Sequence, residues 1–175
     1  MDGGDFELWY RFDRNYNHAQ FSPTDPDQIL FAEENHPDLI TGMTFPIRNR
    51  MWLLRRGGEP RPVFDEVTRV SHEWWDPDGR HVWCVQGNDT WRVRIADGHT
   101  EKFGFPRHSW HSHSSADGRL IVGDSHDGEF YRGCASTVHF MNRDTGRTVV
   151  VADNPQRHDY VGRNYHIDPH PRFNA

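Results

Sequence analysis

The sequence is short of cysteine, of positive charge and of long apolar runs, and each shortage excludes something. Two cysteines, Cys84 and Cys134, are too few for a disulfide scaffold and too far apart for a zinc ribbon. Lysine and arginine total 20 against 26 aspartates and glutamates, a formal net charge of −6. A general nucleic-acid binder gathers a basic excess on one face, so that class is excluded. No apolar run is long enough for a helical membrane span. The amino-terminal segment MDGGDFELWYRFD is acidic and lacks a charged-then-apolar leader pattern, so the expected location is the cytoplasm. No Gly-x-Ser-x-Gly elbow, phosphate-binding glycine loop or dinucleotide fingerprint occurs, and Gly57-Gly58, set between charged residues, reads as a turn. Helical periodicity is scarce too.

What the chain does have is histidine and aromatics: 13 His, 7 Trp and 11 Phe in 175 residues. Disordered chains are poor in aromatics, so this one folds, and its length suffices for one ordinary core. The convincing segments are short, β-branched or aromatic, and bounded by turn residues. Gln28–Phe31, Arg50–Leu54, His81–Val85, Thr90–Ile95, Leu120–Val122, Ser136–Met141 and Thr148–Val151 all read as strands. Between them lie Asp78-Gly79, Asp97-Gly98, Asp117-Gly118, Asp127-Gly128 and Thr145-Gly146, which supply the positive φ angles of hairpin turns. The fold class is therefore all-β and antiparallel: a propeller, barrel or sandwich.

A repeat decides among these. Four segments share the pattern His-x-x-(aromatic or small)-(Ser/Asp/Asn)-(Pro/Ala)-Asp-Gly: 18–25, 72–79, 111–118 and 170–175, the last ending before the pattern is complete. A period of about 40 residues with insertions suits the four-stranded blade of a β-propeller. The whole chain then reads as a single partial propeller domain over 1–175, with three blades and the start of a fourth. Because closure takes roughly four to eight blades, either the chain is a piece of a longer protein, the favoured reading, or its remaining blades come from elsewhere.

Equivalent positions in a repeat protein occupy equivalent places. His18, His72, His111 and His170 would then enter the same strand of successive blades and ring one channel mouth, as a metal or acid/base site requires. One such histidine is usually a structural hydrogen-bonding residue, and some of the four can be just that. The last repeat adds Tyr165-His166-Ile167-Asp168-Pro169-His170-Pro171. In an extended strand His166, Asp168 and His170 share a face, and Pro169 and Pro171 suit an edge or channel-lining position. His111 and His113 have the same spacing. Nitrogens with one oxygen suit Mn²⁺, Fe²⁺, Zn²⁺ or Ni²⁺. Arg48, Arg50, Arg55 and Arg56 flank a strand, with Arg61 and Arg69 behind, and guanidinium groups at a channel mouth would meet an acidic substrate. Glu33, Glu34 and Glu73 are candidate supporting carboxylates, and both cysteines read as buried packing residues.

Taken in order, HAQFSPTDPDQILFAEE, RNRMWLL, SHEWWDPDG, HSSADGRLIVGD and DPHPRFN resemble the oligogalacturonate lyase family of polysaccharide lyases, from about Asn17 to Ala175. The resemblance implies a seven-bladed propeller, of which this chain would be roughly the carboxy-terminal half. It implies Mn²⁺, or another divalent first-row metal, and cleavage of short oligogalacturonides by β-elimination to 4,5-unsaturated uronates. It gives His72 the catalytic base and Arg50 the catalytic arginine, with His111 and His170 as metal ligands. Asp168 stands where the family pattern has a histidine, and His166 lies two residues earlier, so both enter the ligand set. His113 is the fallback for His111, and His18, Arg48 and His113 are substrate-binding candidates. The partner is an acidic oligosaccharide rather than nucleic acid or membrane, and nothing in the residues fixes an oligomeric state. Two other readings remain: a non-enzymatic TolB-like binding module, and a lyase of another uronic-acid polymer. A chain of this length with open sheet edges is also expected to fold poorly or self-associate when isolated, and to show little lyase activity.

Overall fold

The computed structural model describes residues 4–34, 42, 46–47, 49–87, 89–103, 109–126, 136–154 and 169–173. These form twelve strands in three four-stranded antiparallel sheets. No helix among them is long and apolar enough to cross a membrane. The chain divides into two compact units, 1–69 and 70–175.

The first unit holds β1 (Tyr16–Phe21), β2 (Gln28–Glu33), β3 (Met51–Arg55) and β4 (Arg61–Pro62), paired in chain order. Central strand β2 is buried on both faces, which is why its sequence runs apolar instead of alternating: Leu30, Phe31 and Ala32 are all in the core with Met51, Leu53 and Leu54 of β3. Phe31 is covered by Phe12 and Tyr16, whose ring centroids lie 5.0 and 5.4 Å from it. Contacts of this kind add about 0.5–1.5 kcal/mol beyond area burial.

The second unit holds two sheets. One is β5 (Ser71–Trp75), β6 (His81–Gln86), β7 (Asp89–Arg94) and β8 (Thr100–Phe103). The other is β9 (Ser109–Ser114), β10 (Leu120–His126), β11 (Ser136–Asn142) and β12 (Thr148–Asn154). Each is a meander, with strands paired in chain order. Trp74, Trp83, Ile121 and Met141 form one core cluster across the two sheets, with Trp74 and Trp83 stacked at 5.8 Å. Trp74 Nε1 donates to Ser114 Oγ at 3.0 Å, tying β5 to β9. Thr90 Oγ1 of β7 and Ser109 Oγ each lie 2.7 Å from Ser112 Oγ, a buried hydroxyl chain along β9.

The Asp-Gly turns form as expected, but only their glycines have positive φ: 63° at Gly79 and 68° at Gly118. The aspartates serve differently. Gly79 N–H donates to Asp76 O, while Asp78 Oδ1 accepts from the backbone N–H groups of Arg80 and His81 at 2.8 and 3.0 Å. A turn closed by a left-handed glycine and an aspartate cap replaces the two-residue hairpin turn, in which both residues have positive φ. Asp127-Gly128 lies outside the described residues.

The repeated histidines sit on irregularities in the first strand of each sheet. In β1 the register places His18 and Ala19 opposite Phe31 alone, and in β5 His72 and Glu73 opposite Cys84 alone. Each is a β-bulge, and the extra residue re-aims a side chain. His18 and His72 adopt φ of 54° and 52°, and His170 45°, the positive φ values found for non-glycine residues among those described. In β9 the bulge lies one pair further along, with Trp110 and His111 opposite Asp124. His111 therefore keeps ordinary strand backbone, so the four histidines that align in sequence have two backbone settings.

Candidate metal centre

In the second unit β5, β9 and the segment 169–173 bring three imidazoles together. One potential ligand atom each from His72, His111 and His170 lies within 4.8 Å of the others. The His72 and His111 ring centroids are 4.0 Å apart and nearly perpendicular; those of His111 and His170 are 3.5 Å apart and stacked. His111 is 3% exposed, His72 is half-buried and His170 faces solvent, so the cluster runs from the interior to the surface.

Beneath it lies Asp124 of β10, fully buried opposite the β9 bulge. Its Oδ1 accepts from the His111 backbone N–H at 2.7 Å, and its Oδ2 lies 2.9 Å from His111 Nδ1. Oδ2 also accepts from the His170 backbone N–H at 3.2 Å. Burial alone would raise the Asp124 carboxyl; hydrogen bonding and attraction from His111, with the His170 N–H, outweigh it and hold the group below the usual carboxylate value. Asp124 ends the apolar run Leu-Ile-Val-Gly, and that buried-strand context was the one sequence signal for it.

His113, two residues beyond His111, faces a different environment. Its ring stacks on Trp74 at 6.0 Å, and its Nδ1 accepts from the Phe173 backbone N–H at 3.4 Å. Burial, and then the charge of Arg172, push its pKa below the ordinary histidine value. The hydrogen bond from Phe173 ties the segment 169–173 to β9 of the second sheet.

The first unit carries a separate group. Arg50 Nη1 is ion-paired with Glu34 Oε1, and Arg50 Nη2 lies 3.5 Å from His18 Nδ1. Arg50 is largely buried, with its side chain 13% exposed. Glu33 is buried and paired with Arg14 at 3.1 Å. Arg48, His166, Asp168 and Cys134 lie outside the described residues. Cys84 is a packing residue: it is fully buried, and burial, reinforced by Glu73, pushes its thiol pKa up.

Neither a protein-family model nor a curated protein sequence matches the chain. Solved structures do. An oligogalacturonate lyase from Vibrio parahaemolyticus aligns with a TM-score of 0.73 over 98% of this chain and 46% of that one, at 22% identity. A putative TolB from Agrobacterium tumefaciens aligns at 0.60 over 81% of this chain and 51% of that one, with 18% identity. The fold is a β-propeller fold. An oligogalacturonate lyase in complex with manganese also aligns, with a TM-score of 0.60 over 79% of this chain and 36% of that one, at 24% identity. The chain thus spans about half or less of the length of these structures. Its three four-stranded meanders correspond to propeller blades.

The donor set fits a borderline divalent metal. Three imidazoles converge, one in the interior and oriented by a carboxylate, and the described residues place no thiolate among them. That is the chemistry of Mn²⁺, Fe²⁺, Zn²⁺ or Ni²⁺ sites rather than of a calcium or thiolate-zinc site.

Proposed function

We propose that this chain is the metal-binding part of a polysaccharide lyase that cleaves an acidic oligosaccharide, oligogalacturonide first, by β-elimination. The convergence of His72, His111 and His170 on a propeller shared with an oligogalacturonate lyase–manganese complex carries the reading. In this reading His111 and His170 hold the metal, with His166 and Asp168 as the remaining candidate ligands. A bound divalent ion would supply positive charge for the uronate carboxylate and for the enolate-like oxygen that develops next to it. His72, beside both ligands yet still half-exposed, takes the proton from C5, after which the C4–O bond to the neighbouring sugar breaks. A neutral imidazole suits that task because its ordinary pKa lies near working pH. Arg50 is the proposed carboxylate partner, its guanidinium held by Glu34; His18, Arg48 and His113 are proposed to bind sugar.

The full-length protein, loaded with Mn²⁺ and given oligogalacturonides, should generate the ultraviolet absorbance of a conjugated enoate. His72→Ala should abolish that signal while leaving metal content unchanged. A protein that takes up no divalent metal and yields no enoate supports the second reading, a TolB-like binding module, which the alignment with a putative TolB favours.

A further inference from the structure

We infer that Asp124 is the positioning residue of the metal centre: it selects the His111 tautomer that can bind a metal and pins the backbone of His170 to the same carboxylate. The inference rests on the reading of His111 and His170 as ligands, and it assigns a role to a residue outside that ligand set.

Three hydrogen bonds define the role. The His111 backbone N–H donates to Oδ1 at 2.7 Å, which fixes the β9 bulge beside the ring. A carboxylate has no proton to give, so the contact of 2.9 Å between Oδ2 and His111 Nδ1 requires the proton on Nδ1. The lone pair of that ring is then on Nε2, the nitrogen left for a metal. Oδ2 also accepts from the His170 backbone N–H, 46 residues along the chain. One fully buried carboxylate therefore sets the height of two ligands borne by separate segments. This is costly to build unless it is needed, because a buried carboxylate must be fully hydrogen-bonded to be tolerated. His170 has a positive φ of 45°, and the bond from its N–H is one of the contacts that hold it there.

Asparagine has nearly the same shape but offers only one acceptor oxygen for three donors. Whichever way it turns, its amide group faces either the His111 backbone N–H or His111 Nδ1. In the second case the proton moves to Nε2 and the metal-binding lone pair is lost.

The test uses the full chain and Mn²⁺ alone. Long-range ¹H–¹⁵N correlation spectra of the metal-free wild type should show His111 as the Nδ1–H tautomer. Calorimetric titration should show Asp124→Asn binding Mn²⁺ roughly 10- to 100-fold more weakly than wild type. His111 in the Nε2–H tautomer in the wild type overturns the assignment without any variant being needed, even if Asp124→Asn fails to fold. Equal Mn²⁺ affinity of wild type and a folded Asp124→Asn overturns it as well, while leaving the metal centre standing. A wild type that binds no Mn²⁺ overturns the metal centre itself and the role of Asp124 with it.

Discussion

Replacing His72 by glycine should cost less stability than replacing it by alanine, the reverse of what a strand normally shows. Both substitutions delete the imidazole and its contact with His111, so the difference between them isolates the backbone. At an ordinary strand position glycine is worse than alanine by about 0.5–1 kcal/mol, because it loses more freedom on folding. His72 instead has φ of 52°, where an L side chain costs roughly 1–2 kcal/mol that glycine does not pay. Subtracting the entropic handicap of glycine, about 0.4–1 kcal/mol, leaves glycine ahead by up to about 1.5 kcal/mol. Urea unfolding followed by tryptophan fluorescence is the assay, since Trp74, Trp75 and Trp83 flank the bulge on β5 and β6. The unfolding midpoints should rank His72→Gly above His72→Ala, with similar slopes. If alanine is the more stable by the ordinary margin, the left-handed backbone at residue 72 is not what the bulge imposes, and the argument for a strained, functional histidine fails. The same inversion should appear at His18, where φ is 54°, but not at His111, whose backbone is unstrained.

Two further outcomes follow from the second unit. Asp76 is 4% exposed and accepts from Trp83 Nε1 at 3.0 Å and Arg92 Nε at 2.8 Å, so Asp76→Ala leaves a buried indole N–H unsatisfied and weakens the seating of an arginine. Denaturant titration should show a loss of about 2–4 kcal/mol, with Arg92 retaining Asp78 as a partner at 2.9 Å. Asp97 is pushed down to about 2 by its hydrogen bond from Arg94 and then by the His99 backbone N–H. Its folded value lies below its unfolded one, so its contribution is fully present above the ordinary carboxylate pKa and fades as pH falls through about 2. Carboxyl NMR titration should find that depressed value, and Arg94→Ala should raise it toward the ordinary range, the His99 N–H still holding it somewhat low.

The central strands of the sheets were legible because their residues announce them. Gln28–Phe31, His81–Val85, Leu120–Val122 and Ser136–Met141 are β-branched or aromatic runs, and each became a strand one to four residues longer than expected. The first strands of the sheets were found differently. NHAQF, SHEWW and SWHSHS carry no clean alternation, and the histidine repeat pointed to them instead. What the repeat could not convey was the position of each bulge, which depends on how two strands pair. That pairing gives His18 and His72 left-handed backbone and withholds it from His111. Asp124 escaped notice for the same reason: an aspartate ending LIVGD means little until the opposite strand's bulge is known.

The hydroxyl chain of Thr90, Ser112 and Ser109 has a consequence for how the histidines keep their spacing. An oily seam between β7 and β9 would tolerate sliding, since apolar contacts are non-directional. The Thr90–Ser112 bond of 2.7 Å does not, because moving β9 by one residue would break it and leave the buried Thr90 hydroxyl without that partner. Ser112 adjoins His111, so the seam works as a vernier stop, setting the height at which that imidazole meets its neighbours. The distance between the imidazoles of β5 and β9 is thus gauged by a serine and a threonine that lie outside the imidazole cluster itself.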